Sequence, residues 1–208
     1  FRRVLFRSVK MNNEGITETA KTTKFNILTA DLKYIFSALK PAIPKASGKP
    51  VYKYIKFTYK DSLLSAYATD GYRVHSVTVH VDITDGEKAF CFLLKPFTIP
   101  KTKSEFVPCE LSEKEILFDF GERKNTFKLG SGDYFDVNAA IPTSPIVYRI
   151  GLNPKFLADA AKSLKGGEKN VIVMEFRNPL EPVVIYNITD KSDFRIVCPV
   201  RLGESEDL

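Results

Sequence analysis

The sequence predicts an α+β fold built from short β-α-β-β-β units that recur along the chain. Three observations carry this expectation. Two stretches, 29–39 and 154–164, place apolar residues at helical spacing. Each is followed by three short β-prone runs separated by turn residues. Between two of these runs stands Asp70-Gly71, a strong hairpin signal, because glycine tolerates the positive φ of a tight turn. Helices should therefore cover one face of a continuous antiparallel sheet.

Taken in order, residues 1–8 (Phe-Arg-Arg-Val-Leu-Phe-Arg-Ser) read as a cloning or sequence-assembly scar, with Met11 as the native start. A mitochondrial-type leader is the alternative, for which the stretch is short. Residues 9–23 are polar, Thr-rich and aperiodic, so 1–23 form a scar and flexible arm. A strand is expected over 25–28. Thr29 is then expected to cap a helix whose Leu32, Ile35, Phe36 and Leu39 form one apolar stripe, ending before Pro41. Residues 41–50 read as a loop, and 51–59, 63–69 and 72–81 as a meander of three strands.

Residues 82–88 read as a turn-rich linker, and a second unit opens with a strand at 89–94. Pro96, Pro100 and Pro108 punctuate the stretch where its helix would stand, so none is expected. Strands at 115–120 and 125–129 pair around Gly121. A third unit opens with a strand at 147–152. Asn153 caps and Pro154 begins a helix with Phe156, Leu157, Ala160, Ala161 and Leu164 on one side, stopped by Gly166-Gly167. Strands follow at 171–176, 183–188 and 194–200. The expected domains are 24–143 and 144–202, with an acidic tail at 203–208.

Composition narrows the function classes. At 208 residues, 44% hydrophobic and 27% charged, the chain is long enough for a real core and balanced as a soluble globular protein is. No apolar run is long enough for a membrane span. Cys91, Cys109 and Cys198 are odd in number and lack CxxC spacing, which argues against a disulfide framework and a zinc site. The formal charge is +6, of which residues 1–8 carry half, so a nucleic-acid reading must rest on where the lysines lie.

Catalysis finds little support. His75 and His80, the only histidines, are five residues apart on one strand and point to opposite faces, so they do not share a metal. No GxSxG, Walker loop, dinucleotide fingerprint or HExxH occurs. A small hydrolase using Asp70 and His75 is the enzyme-class rival. The expectation is no catalytic residue, no metal and no cofactor.

Two stretches give a sharper lead. Ala68-Thr69-Asp70-Gly71-Tyr72-Arg73-Val74 resembles the ATDGHRL-type hairpin of the bacterial DNA polymerase III β sliding clamps. Val197-Cys198-Pro199-Val200-Arg201-Leu202 resembles their VMPMRL-type ending. Tyr72 stands where the family has His, Val74 where it has Leu, and Cys198 and Val200 where it has Met. The segment from Gly130 through Asp133-Tyr134 to Ile141-Pro142 is similar to the family's G-x-x-P-D-Y…I-P exit from its middle domain. The resemblance spans roughly residues 24–202.

It implies a DNA-clamp fold and a processivity factor that tethers replication proteins to duplex DNA without reading sequence. The site it implies is a groove for short peptides of the replicative polymerase and clamp loader. By motif match the groove takes Thr69, Gly71, Tyr72, Arg73 and Val74 from the hairpin, and Pro142 from the exit segment. The ending contributes Ile196, Cys198, Pro199, Val200 and Arg201. Tyr52 is a wall by its spacing before Thr69. The hairpin and the ending are expected side by side; the bland reading makes all of them ordinary core strand residues.

In this family helices line a central channel, so Lys33, Lys40, Lys155, Lys162 and Lys165 would meet duplex phosphates, although solvated helix faces carry lysines anyway. The setting implied is cytoplasmic and nucleoid-associated, with no membrane. Family chains carry six units and rings close with twelve, whereas three are read here. Either this is a compact variant or the record is truncated upstream. Self-association is expected, with a tetrameric ring as one outcome and a monomer as the alternative. An adaptor that binds peptides without encircling DNA is the rival function.

Overall fold

A computed structural model describes residues 22–45, 49–164 and 171–203. The predicted arm up to residue 21, the Gly166-Gly167 stop, Lys165 and the tail beyond 203 lie outside them. The chain divides into two compact units on either side of the Ile141–Pro142 bond. All strand pairings among the described residues are antiparallel. They form three sheets rather than the one continuous sheet expected.

In the first unit, β1 (Thr23–Leu28) runs directly into α1 (Thr29–Leu39). Then come β2 (Ile55–Lys60), β3 (Leu63–Thr69), β4 (Val74–His80) and β5 (Asp82–Asp85). A second half follows with β6 (Phe90–Leu94), β7 (Phe106–Leu111), β8 (Glu115–Asp119) and β9 (Lys124–Lys128). The sheet orders are β4-β3-β2-β6 and β5-β1-β7-β8-β9. Each half therefore lends its opening strand to the other half's sheet: β1 pairs with β7, and β6 with β2.

The α1 stripe behaves as its spacing predicts. Leu32, Ile35 and Leu39 are buried and Phe36 packs at the core's margin, with the helix lying on β4, β1 and β3. Burying three such side chains is worth roughly 5–9 kcal/mol. Thr29, however, is the first helical residue and not a cap. Its hydroxyl donates to the Ser104 carbonyl at 2.7 Å and its N–H to the Glu105 carbonyl, so it fastens the helix start to the second half. Pro41 ends the helix in a short 3-10 turn over Lys40–Ala42.

Three further expectations need correction. Residues 50–53 form a 3-10 turn, so Tyr52 precedes the strand, which starts at Ile55. Residues 82–85 are no linker but β5, whose Ile83 lies opposite Phe25. The stretch marked by Pro108 contains β7. Pro108 pairs only toward β1, opposite Asn26, where the β8 register has not begun; a residue without an N–H is tolerated at such a position.

The second half has no helix, as expected, and Phe97 of the proline-marked stretch packs against the core. Phe97 stacks on Phe127 with ring centroids 4.1 Å apart and meets Phe36 edge-on at 4.9 Å and Phe118 at 5.3 Å. Proline-punctuated chain thus reaches the core through one aromatic anchor.

In the second unit, Asn153 caps α2 (Pro154–Ser163) by accepting from the Lys155 and Phe156 N–H groups. β10 (Ile172–Glu175), β11 (Val183–Asn187) and β12 (Asp190–Val197) form a three-stranded sheet in that order. Ala160, Leu164, Val183, Ile185 and Val197 are its buried core. Phe156, expected on the apolar side, is 58% exposed. Residues 147–152 are not a strand: among the described residues their only ladder contact is a bridge from Gly151 to Val200, and β-prone residues without a neighbouring edge do not make one. β12 ends at Val197, so Cys198, Pro199 and Val200 lie beyond the strand expected to hold them.

Candidate peptide and nucleic-acid surfaces

The hairpin between β3 and β4 is organised by Asp70. Its Oδ1 accepts from the Tyr72 N–H at 3.0 Å and the Arg73 N–H at 3.2 Å, and its Oδ2 accepts from Arg73 Nε at 2.8 Å. The Tyr72 N–H first, and Arg73 after it, hold the carboxyl below the usual carboxylate range. Gly71 follows at φ +96°, and Thr69 Oγ1 accepts its N–H at 3.0 Å. Thr69 is buried and Tyr72 fully exposed. β4 starts at Val74, so Tyr72 and Arg73 belong to the turn and not to the strand that was expected from residue 72.

Behind this turn lie two tyrosines. The Tyr52 ring is the nearest neighbour of the Cβ position at Gly71, at 3.8 Å, and packs edge-on against Tyr134 with centroids 5.8 Å apart. The Tyr134 hydroxyl faces two carbonyls, Tyr54 at 3.1 Å and Tyr67 at 3.3 Å. Burial pushes this phenol up to about 12. Tyr134 ties the exit segment to the base of the hairpin, a role that the Asp133-Tyr134 motif does not disclose from sequence alone. His75 is also placed: its Nδ1 lies 2.8 Å from the Ala38 carbonyl at the end of α1. A hollow of about 620 Å³ opens beside the turn, with Pro41, Ile43, Pro44 and Tyr72 as apolar lining and Lys40 and Arg73 among its cations.

The second unit holds the remaining candidates. Around buried Val197, alternation turns Phe194, Ile196, Cys198 and Val200 outward, an exposed apolar row. Pro199 is half-buried, and Arg201 and Pro142 are exposed. Within each unit the ordinary-core reading therefore fits Thr69 but not Tyr72, Ile196, Cys198 or Val200. A hollow of about 380 Å³ is lined in part by Val147, Tyr148, Leu180, Val200, Arg201 and Leu202. Gly151 is required here: a Cβ would sit 2.8 Å from the Val200 carbonyl oxygen.

On α1, Ala30, Lys33 and Ser37, continued by Lys40 of the following 3-10 turn and not of the helix expected to carry it, form one exposed stripe opposite the buried one. On α2, Lys155 and Lys162 are exposed, but Asp159 stands between them on the same face. The helix-free loop adds the exposed Lys95, Lys101 and Lys103. No helix among the described residues is long and apolar enough to cross a membrane.

No family model matches this sequence, and no curated protein matches it. Solved structures do. The DNA polymerase III beta chain of Streptococcus pneumoniae matches with a TM-score of 0.69 at 16% identity, over 96% of this chain and 53% of that one. The DNA polymerase III subunit beta of Pseudomonas aeruginosa matches at 0.62 and 14%, over 91% and 69%. The Helicobacter pylori beta clamp bound to a DNA ligase peptide matches at 0.66 and 15%, over 92% and 53%. The chain spans about half the length of the S. pneumoniae and H. pylori proteins. Its α+β architecture is the fold of the bacterial DNA polymerase III beta subunits, the sliding clamps.

Proposed function

We propose that this chain is a non-catalytic sliding clamp, a processivity factor that tethers replication proteins to duplex DNA in the cytoplasm, at the nucleoid. The observation that carries the reading is the match to clamp structures over nearly the whole chain, one of them a clamp bound to a DNA ligase peptide. The exposed Lys33 and Lys40 stripe supplies charge without base-reading geometry, which suits a protein that must move along DNA. The hairpin, the hollow beside it and the outward row of Ile196, Cys198 and Val200 supply apolar grooves with arginines at hand, which suits Leu and Phe anchors of short polymerase and clamp-loader peptides. Self-association of the chain belongs to the same reading.

The test is extension of a long primed single strand by a bacterial replicative polymerase with its loader, with and without this chain. Longer products per binding event support the clamp. Binding of a Gln/Leu/Phe-type peptide without longer products would replace it by an adaptor that does not encircle DNA. Hydrolytic turnover lost in Asp70→Ala would overturn the non-catalytic part.

A further inference from the structure

In the first unit neither half is closed by its own strands. β1 opens the first half and lies between β5, which trails its own meander, and β7, the second strand of the other half. β6 opens the second half. It pairs with β2, the second strand of the first half, and its Leu93 bridges to Gly130, which trails β9. Each opening strand thus has one neighbour from its own half and one from the other half.

The second unit repeats the same parts in order: an opening segment, α2, then β10, β11, β12 and trailing residues. The neighbour from its own half is present. Gly151 bridges to Val200 and accepts its N–H at 2.8 Å, as Leu93 accepts from Gly130. The neighbour from another half is not found among the described residues. β10 is an edge of its sheet, and Ile146 and Val147 are 65% and 91% exposed. Val171 and Phe176, at either end of β10, are each 42% exposed.

We infer that the second unit binds the second unit of another copy of this chain, each opening segment adding to the other's β10. What is open on this unit is an opening segment and a second-strand edge, the two parts that unit 1 shows fit one another. One copy carries both, so a two-fold axis satisfies both at once. An unrelated strand added to β10 would leave Ile146 and Val147 uncovered. The inference stands apart from the DNA reading, because it concerns only the mass of the protein and the covering of two edges.

The test is sedimentation of the full chain from about 1 to 100 μM, with amide exchange read in parallel. The wild type is expected at twice the chain mass, with the amides of 146–148 and 172–175 protected together. The variant Ile146→Asp/Val147→Asp places charges on side chains already exposed, so it keeps its circular dichroism. Its dimer is expected to weaken at least about a hundredfold, and both segments lose protection. A monomer throughout the concentration range overturns the inference, and so does a dimer that survives the double substitution. Protection of 172–175 in the monomer does too, because the edge is then covered within one chain.

Discussion

The two units of this protein use one plan with different completeness. In the first, two halves exchange opening strands, so each sheet gains a fourth or fifth strand and a core forms around Phe25, Ile35, Phe57 and Ile116. In the second, a single half folds around the cluster of Ala160, Leu164, Val183, Ile185 and Val197, while Ile146 and Val147 of its opening segment are exposed. The difference teaches that the larger core comes with the exchange of opening strands, whereas a single half has little core with which to offset chain entropy. Within the first unit the second half has no helix between β6 and β7, and Phe97 from that stretch packs on Phe36 and Phe127.

The largest expected effect breaks that contrast at its root. Ile35→Ala removes a fully buried side chain from the larger core and should cost about 2–5 kcal/mol, whereas half-buried Leu157→Ala in the smaller one should cost about 1. Urea unfolding of the full chain should show two transitions, with Ile35→Ala moving the later one and Leu157→Ala the earlier. One transition moved by both would show that the units unfold as one.

Next comes the peptide surface. Val200 is 54% exposed, so Val200→Asp should leave the fold intact and weaken binding of a Gln/Leu/Phe-type peptide at least about tenfold, read by fluorescence anisotropy. Unchanged affinity would remove the ending from the groove.

The helix faces sharpen the comparison further. Replacing Lys33 and Lys40 by Gln should reduce the salt slope of duplex binding by about 1.8, because each phosphate contact contributes about 0.9. Replacing Lys155 and Lys162 should reduce it less, since Asp159 on the same face already offsets part of their charge. Equal losses would contradict the unequal faces.

The smallest expected effect is local. Hydrogen bonds from Tyr72 and Arg73 depress the Asp70 pKa below its ordinary 3.8. The hairpin's stabilisation should therefore be complete above that value and disappear as pH falls through the lower folded value. Proton exchange of the 71–73 amides between about pH 5 and pH 2 reads this, and Asp70→Asn should make the hairpin insensitive over that range.

Much of this was legible in the sequence. The α1 stripe, the Asn153-Pro154 start of α2 and the Asp70-Gly71 turn follow from local chemistry, and each sits where spacing puts it. What escaped depends on distant partners. Thr29 looks like a cap, yet its hydroxyl goes to Ser104. Residues 82–85 look like a linker, yet they find an edge on β1. Residues 147–152 look like a strand, yet among the described residues they meet one bridge only. Periodicity reports what a segment can do, and the available edge decides what it does. At the site, the hairpin was read from its motif, whereas the tyrosine pair behind it was not, because Tyr134 lies far from Tyr52 in sequence and only tertiary packing joins them.

The proposed sliding-clamp function requires that the protein hold DNA by encircling it. Its most direct test is retention on nicked circular duplex against the same duplex linearised, with a bacterial clamp loader and ATP, after transfer to high salt. A clamp remains on the circle and runs off the linear form, because topology holds it when phosphate contacts are screened. Equal loss from circle and line would contradict encirclement and leave a protein that binds peptides with a clamp's fold.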